Sequence, residues 1–148
     1  MIEAIFIAKE DLAKQEQVDS IQVVRGKGIV GDRNFDKSKW PGQNLTFIEA
    51  EEIDRFNSAY NQNIELCATR RNIITRGVRL NDLVGKVFFI GNIKLKGVML
   101  CEPCVVLGDL LKNKTMKSMD VVNAFVHKGG LRVDVLTDGF IEVGMEFN

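Results

Sequence analysis

Phe88-Phe89-Ile90-Gly91-Asn92-Ile93-Lys94-Leu95-Lys96-Gly97-Val98-Met99-Leu100-Cys101-Glu102-Pro103-Cys104 carries the main structural signal of this chain. Apolar and aromatic residues flank Gly91-Asn92, a turn dipeptide, so Phe88–Ile90 and Ile93–Leu95 read as a β-hairpin. The Gly-punctuated, strand-like run closes on two cysteines ahead of a plausible short helix, and Pro103 suits a helix start because its missing N–H costs nothing there. Two thiols therefore stand at a strand-to-helix junction, where unpaired backbone N–H groups favour a thiolate.

Working outward, Ile2–Ala8 and Ser20–Arg25 are strand candidates, the latter with Ile21 and Val23 in alternation. Gly26, Gly28 and Gly31 mark a turn or loop over 26–33, and Asn44–Ile48 is strand-like. Ala50, Ile53, Phe56 and Tyr60 recur at helical spacing and predict a helix over 49–61. Asn72–Thr75 reads as a strand, Val105–Phe125 as one or two short helices weakened at Gly108, and Leu131–Leu136 with Phe140–Val143 as a terminal hairpin split at Asp138-Gly139. Many short strands with glycine turns and few helices predict a mainly β fold with short helices, a barrel or curled sheet, in a single domain over 1–148.

The bulk composition agrees. A chain of 148 residues, 45% hydrophobic and 27% charged, can bury one sizeable core without a covalent staple. Twenty acidic residues balance twenty basic ones, which argues against wholesale binding of nucleic acid, although local basic clusters can still grip a small anion. Three cysteines do not make a disulfide framework, and the odd count suits a reducing compartment. No basic leader and no apolar run of membrane-spanning length is present, so the chain is read as cytoplasmic, with no membrane association.

Four constellations can carry chemistry. Gly28-Ile29-Val30-Gly31-Asp32-Arg33 combines glycines that permit close backbone approach with an arginine able to clamp phosphate or carboxylate; the alternative is a surface turn with Asp32 and Arg33 paired or solvated. Arg70-Arg71-Asn72 precedes a strand, as expected of side chains projecting from a barrel rim into its mouth, where they would hold a phosphate; the alternative is a solvated charged pair. Cys101 and Cys104 fit a metal ligand or sulfur carrier, a redox pair, or structural thiols. Only Cys67 and His127 remain to complete a zinc set, neither in ligand-pair spacing. In His127-Lys128-Gly129-Gly130 the only histidine is an acid–base candidate or a hydrogen-bonding residue at a helix end, and Cys67 is most simply a small buried hydrophobe.

Taken in order, Gly31-Asp32-Arg33, Arg70 to Gly77, Leu80 with Leu83-Val84-Gly85, Leu100 to Cys104, His127 to Leu131 and the closing 139–144 segment resemble the stand-alone form of the MOSC domain, named for the C-terminal domain of molybdenum cofactor sulfurase. Each piece is nonspecific alone, but the ordered set spans nearly the whole chain. The resemblance implies a MOSC-type β-barrel and a site for the molybdenum cofactor (molybdopterin), a pterin dithiolene with a terminal phosphate. It places the reactive or metal-binding cysteine on Cys104, with Cys101 as an accessory or resolving thiol. It puts Arg33 and the Arg70-Arg71 pair on the anionic tail, with Asp32 and Asn72 as further cofactor-binding residues. Many members carry His after Gly-Asp-Arg, whereas this chain has Asn34, which cannot exchange a proton near neutral pH.

The implied function is binding of the molybdenum cofactor, or sulfur carriage for it with Cys104 as thiolate ligand or persulfide, in partnership with the cofactor or a sulfur-donor protein. The alternatives are a small molybdenum-dependent reductase of N-hydroxylated compounds and a non-enzymatic thiol or zinc module. The barrel domain that accompanies MOSC in amidoxime-reducing enzymes and the aminotransferase-like domain of the sulfurases are not expected within these residues.

Overall fold

The predicted hairpin forms as read: Phe88 pairs with Leu95 and Ile90 with Ile93, around Gly91 at φ +56°. It belongs to a computed structural model describing residues 1–148, in which ten strands and three helices follow one another. In chain order these are β1 (Ile2–Ile7), β2 (Glu16–Val18), β3 (Ser20–Val24), β4 (Gly28–Ile29), β5 (Leu45–Glu49), α1 (Ala50–Ala59), β6 (Ile73–Thr75), β7 (Val87–Ile90), β8 (Ile93–Leu100), α2 (Val105–Leu111), α3 (Ser118–Ala124), β9 (Leu131–Val135) and β10 (Gly139–Glu142). Single 3-10 turns lie at Leu66–Thr69 and Leu80–Leu83.

Seven strands make a curled half-barrel in the order β2-β1-β6-β5-β9-β8-β7, and three make a second sheet, β10-β3-β4. All ladders are antiparallel except β5 with β6, whose parallel pairing is made possible by the α1 crossover. Period-2 alternation sorts the strand residues into two apolar layers. Leu45, Phe47, Ile73, Phe88, Leu95, Leu131 and Val133 face inward and join Ile21, Val23 and Ile141 of the small sheet in a core of 17 buried side chains. On the outer face Ala4, Phe6, Ile48 and Ile74 meet α1, α2 and α3 in a second cluster of 13. β1 serves both layers because its register with β6 shifts between Ile2 and Ala4, which returns Ile2 and Ile5 to the same inner face. Phe47 anchors the interior, edge-on to Phe88 and Phe147 at 6.1 and 6.0 Å between ring centroids. Its truncation to alanine is worth about 3–5 kcal/mol.

The mainly β reading with short helices holds, and four details differ. The terminal hairpin does not form: β9 pairs with β5 and β8, while β10 crosses to pair with β3 in the other sheet. Ile141 is thereby buried against Ile21, a contact that no local turn signal encodes. The expected loop over 26–33 contains the two-residue β4. Pro103 stands ahead of the helix, since Cys104 is the N-cap and Val105 the first helical residue. Gly108 interrupts nothing. It lets α3 approach, because a Cβ there would run into Ser118.

Candidate functional site

The residues expected at a barrel mouth lie instead on the outer face of the large sheet, because the barrel interior is filled by the apolar core. A cleft of about 350 Å³ opens where α2 leaves the sheet uncovered at β5 and β9. Arg33, Arg70, Arg71, Cys101 and Cys104 all border it, and so do Thr46, Thr69 and Arg132, which sequence reading missed.

Each side chain is delivered by a local device. Gly31 turns the chain at φ +87°, and the buried Asp32 carboxylate then accepts the N–H of Ala8 at 3.1 Å and of Asn34 at 3.2 Å. Together with the bond from Arg33 N–H to the Ala8 carbonyl, 2.7 Å, this fixes the turn to the end of β1 and sends Arg33 into the cleft with 14% of its side chain exposed. Arg70 occupies the left-handed region at φ +60°, an uncommon conformation for a residue with a Cβ. Arg71 donates Nε to the Gly129 carbonyl at 2.9 Å and Nη1 to the Thr69 carbonyl at 3.3 Å.

Asn72 is occupied otherwise. Its Oδ1 accepts from Thr46 N–H at 3.2 Å, its Nδ2 donates to the Phe6 carbonyl at 3.2 Å, and its own N–H donates to Thr46 Oγ1 at 3.1 Å. The amide thus laces β1, β6 and β5 together below a smaller hollow that adjoins the cleft.

The two thiols differ sharply. Cys101 is 2% exposed, its N–H donating to the Gly130 carbonyl at 2.7 Å, whereas Cys104 is exposed. The Gly129-Gly130 pair makes this possible, since a Cβ on Gly129 would strike the Cys101 carbonyl and one on Gly130, at φ +108°, the Phe47 carbonyl. His127 is a clasp for the cysteine segment: Glu102 accepts its backbone N–H at 3.0 Å and faces its Nδ1 at 3.4 Å. The imidazole is 72% exposed and does not border the cleft. Cys67, half-buried, lies outside it too, its thiol held above the usual range by burial and by Glu65. Nowhere do three His, Cys, Asp or Glu side chains gather into a set that could hold a metal ion, so Cys67 and His127 do not complete a zinc site with the cysteine pair.

The electrostatics point to an anion. Burial pushes Arg70 below its usual range, with the Arg33 charge adding to the effect, and burial does the same to Arg71, opposed by Cys101 and reinforced by Arg132. Guanidinium groups stay charged in proteins, so these cations are desolvated and mutually repelling, offset in part by Asp32, 3.7 Å from Arg33 Nη1, and Asp11, 3.9 Å from Arg33 Nε. Arg33 Nη1, Arg70 Nη2 and the Thr69 hydroxyl are moreover buried without a hydrogen-bond partner. Groups of this kind are normally satisfied, and here a bound oxyanion would satisfy them.

The MOSC domain model matches residues 34–148. The chain belongs to the MOSC domain family. That family is associated with the molybdenum cofactor. The MOSC match begins at Asn34, immediately after Arg33, so the Gly-Asp-Arg turn precedes the matched residues and joins the site through geometry. Among solved structures, the YuaD protein of Bacillus subtilis superposes with a TM-score of 0.85 at 18% identity, covering 99% of this chain and 92% of that one. YiiM of Geobacillus stearothermophilus gives 0.73 at 16% identity, covering 99% and 74%. YiiM of Escherichia coli gives 0.71 at 15%, covering 99% and 68%. At these identities the likeness is one of fold, the MOSC-type β-barrel. No curated protein matches the chain. No helix of this MOSC protein is long and apolar enough to cross a membrane.

Proposed function

We propose that this MOSC domain binds the molybdenum cofactor, or carries sulfur for it, with Cys104 as thiolate ligand or persulfide-bearing sulfur. The supporting observation is the meeting, in one cleft, of an exposed thiol and buried guanidinium donors without hydrogen-bond partners. The donor set fits the cofactor: Arg33, Arg70 and Arg71 suit its phosphate, and a single thiolate suits a metal already held by dithiolene sulfur. When bound, the cofactor would supply a redox-active, soft-ligand metal centre at the thiol.

The chain's own residues then divide the work. Arg33 and Arg70 direct unsatisfied N–H groups at the phosphate. Asp32 and Asn72 act at one remove, holding the backbone from which Arg33 and Arg71 project. Val106, Leu107 and Leu110 give the cleft an apolar wall that strengthens charge interactions inside it. Cys101 lies behind as the accessory thiol, out of reach of a protein partner, while Cys104 is open to a sulfur donor.

The test is anaerobic incubation of wild type and Cys104→Ser with cofactor released from a donor enzyme, then desalting and assay of molybdenum and pterin. Retention by wild type and loss in the variant is expected. Equal retention by both removes Cys104 from the role. For the sulfur-carrier form, intact mass after exposure to a persulfide donor should rise by one sulfur atom in wild type only.

A further inference from the structure

The cleft does not end at the arginines. Arg132 borders three adjoining hollows: the cysteine cleft, the smaller one of about 120 Å³ above Asn72, and a third of about 190 Å³ bounded by Trp40, Pro41, Gln43 and Met99. Its position follows from alternation on β9, where Leu131 and Val133 face the core and Arg132 the outer surface. The Arg132 guanidinium makes no hydrogen bond or ion pair within the protein, and Lys37, on the middle hollow, makes no ion pair. A run of free positive charge therefore connects the thiol end to the tryptophan end.

Trp40 is the chain's only tryptophan, and it is 64% exposed, unusual for a side chain with so much apolar area. Its loop is built rather than slack. Gln43 Oε1 accepts Lys39 N–H at 2.6 Å and Trp40 N–H at 3.4 Å, and Gly42 N–H donates to Asp134 Oδ1 at 2.7 Å. Gly42, at φ +90°, also packs flat on the Arg132 stem, since a Cβ there would approach Arg132 Cβ to 3.2 Å. The backbone that carries Trp40 is thus fixed, and Trp40 borders the same hollow as the arginine that connects the three.

We infer that the hollow between Trp40 and Arg132 is a ring subsite, and that the cleft takes an organic phosphate carrying a flat heteroaromatic ring, with phosphate on the arginines and the ring against the indole. An exposed indole on a hydrogen-bonded loop offers a stacking face, and the neighbouring guanidinium can donate to a ring carbonyl or ring nitrogen as well as to a phosphate. This inference rests on the anion reading of the cleft. A pterin and a nucleobase share the chemistry, and the choice of probes separates them.

The experiment is calorimetric titration of wild type, Trp40→Leu and Arg132→Ala with neopterin monophosphate, guanosine 5′-monophosphate and ribose 5-phosphate. At least one ring-bearing probe should bind wild type about tenfold tighter than ribose 5-phosphate, the order that stacking on an aromatic side chain contributes. Trp40→Leu should erase that margin and leave ribose 5-phosphate binding unchanged. Arg132→Ala should weaken the ring-bearing probes as well, which a ring lying against the indole's other side would not show. The tighter of the two ring-bearing probes identifies the source. Equal affinity for all three probes, no binding by any, or an equal loss for ribose 5-phosphate in Trp40→Leu overturns the subsite. Protein that retains molybdenum cofactor but shows no ring preference loses the subsite and keeps the cofactor reading; ring preference without cofactor retention does the reverse.

Discussion

Arg71 and Gly129 are joined by a 2.9 Å hydrogen bond from the guanidinium Nε to the glycine carbonyl, across 58 residues of sequence. The neighbouring Gly130 carbonyl accepts from Cys101 N–H, so one arginine, one Gly-Gly turn and the buried cysteine form a continuous hydrogen-bonded unit.

Arg71→Ala should therefore destabilise the protein by about 1–3 kcal/mol, because it strips a donor from partly buried carbonyls. In a chain of this length each kcal/mol lowers Tm by roughly 2–4 °C. Arg71→Lys should recover only part of the loss, since an ammonium lacks the planar fork that reaches Gly129 and Thr69 together. Thermal unfolding of the three proteins decides it, and an alanine variant as stable as wild type would refute the unit.

The glycines differ in what they do. Gly31 sits at φ +87° with open space around its Cα, so Gly31→Ala should cost only the left-handed strain of about 1–2 kcal/mol. Gly130→Ala adds a collision with the Phe47 carbonyl and should cost distinctly more. Urea denaturation of the pair provides the comparison; equal losses would mean that the turn yields freely around Phe47.

Thiol labelling should follow burial. Alkylation of the folded protein followed by peptide mass analysis is expected to modify Cys104 first, Cys67 more slowly, and Cys101 at least about tenfold more slowly than Cys104, because Cys101 reacts only through local opening. Comparable rates at Cys101 and Cys104 would contradict the closed Gly129-Gly130 cradle.

Arg33 and Arg70 are held near each other, and although Asp32 and Asp11 lie 3.7 and 3.9 Å from the Arg33 guanidinium, Arg33 Nη1 and Arg70 Nη2 have no hydrogen-bond partner. Saturating inorganic phosphate, at about a hundred times its Kd, should stabilise wild type by about 2.7 kcal/mol. Arg33→Gln or Arg70→Gln should lose most of that response. Arg70→Gln should change the phosphate-free stability little, since removing one of two mutually repelling cations offsets the lost contact. Arg33→Gln should also destabilise the phosphate-free protein by taking the cation from the buried Asp32 carboxylate. A phosphate response unchanged in both variants would place the anion elsewhere.

Glu49, at the junction of β5 and α1, gives a pH-dependent signature. Burial, reinforced by the charge of Glu52, raises its carboxyl above the ordinary value. The native state therefore keeps a proton there over a range in which the unfolded chain has lost it. Stability from this group is complete below the ordinary carboxylate value and is lost as pH rises through the raised native value. Glu49→Gln should raise Tm at neutral pH and match wild type in acid below the carboxylate range. A gain of equal size at both pH values would show that charge is not its cause.

Sequence patterns carried much of this fold. The hairpin at Gly91-Asn92, the helix through Ile53 and Phe56, and the strand from Ile2 were legible because alternation and helical spacing are imposed by the local backbone. The destination of β10 was not legible: Asp138-Gly139 signals a turn, but the turn is consistent with either sheet, and Ile141 is drawn to Ile21 by burial. The site divides in the same way. Arg33, Arg70, Arg71 and Cys104 stood out by residue type, whereas Arg132 carried only the signal of an odd charged residue between Leu131 and Val133, with nothing to say what lay beside it.

The sequence by itself determined the mainly β class, the family and the residue types able to hold an anion and present a thiol, since these follow from short-range periodicity and ordered motifs. Only the tertiary structure decided that the cleft lies outside the barrel, that Cys101 is buried and Cys104 open, and that Asp32 and Asn72 secure backbone. Those outcomes depend on packing between segments far apart in the chain: the inner face fills with apolar side chains, so charged residues on the same strands collect on the outer face where α2 leaves the sheet uncovered.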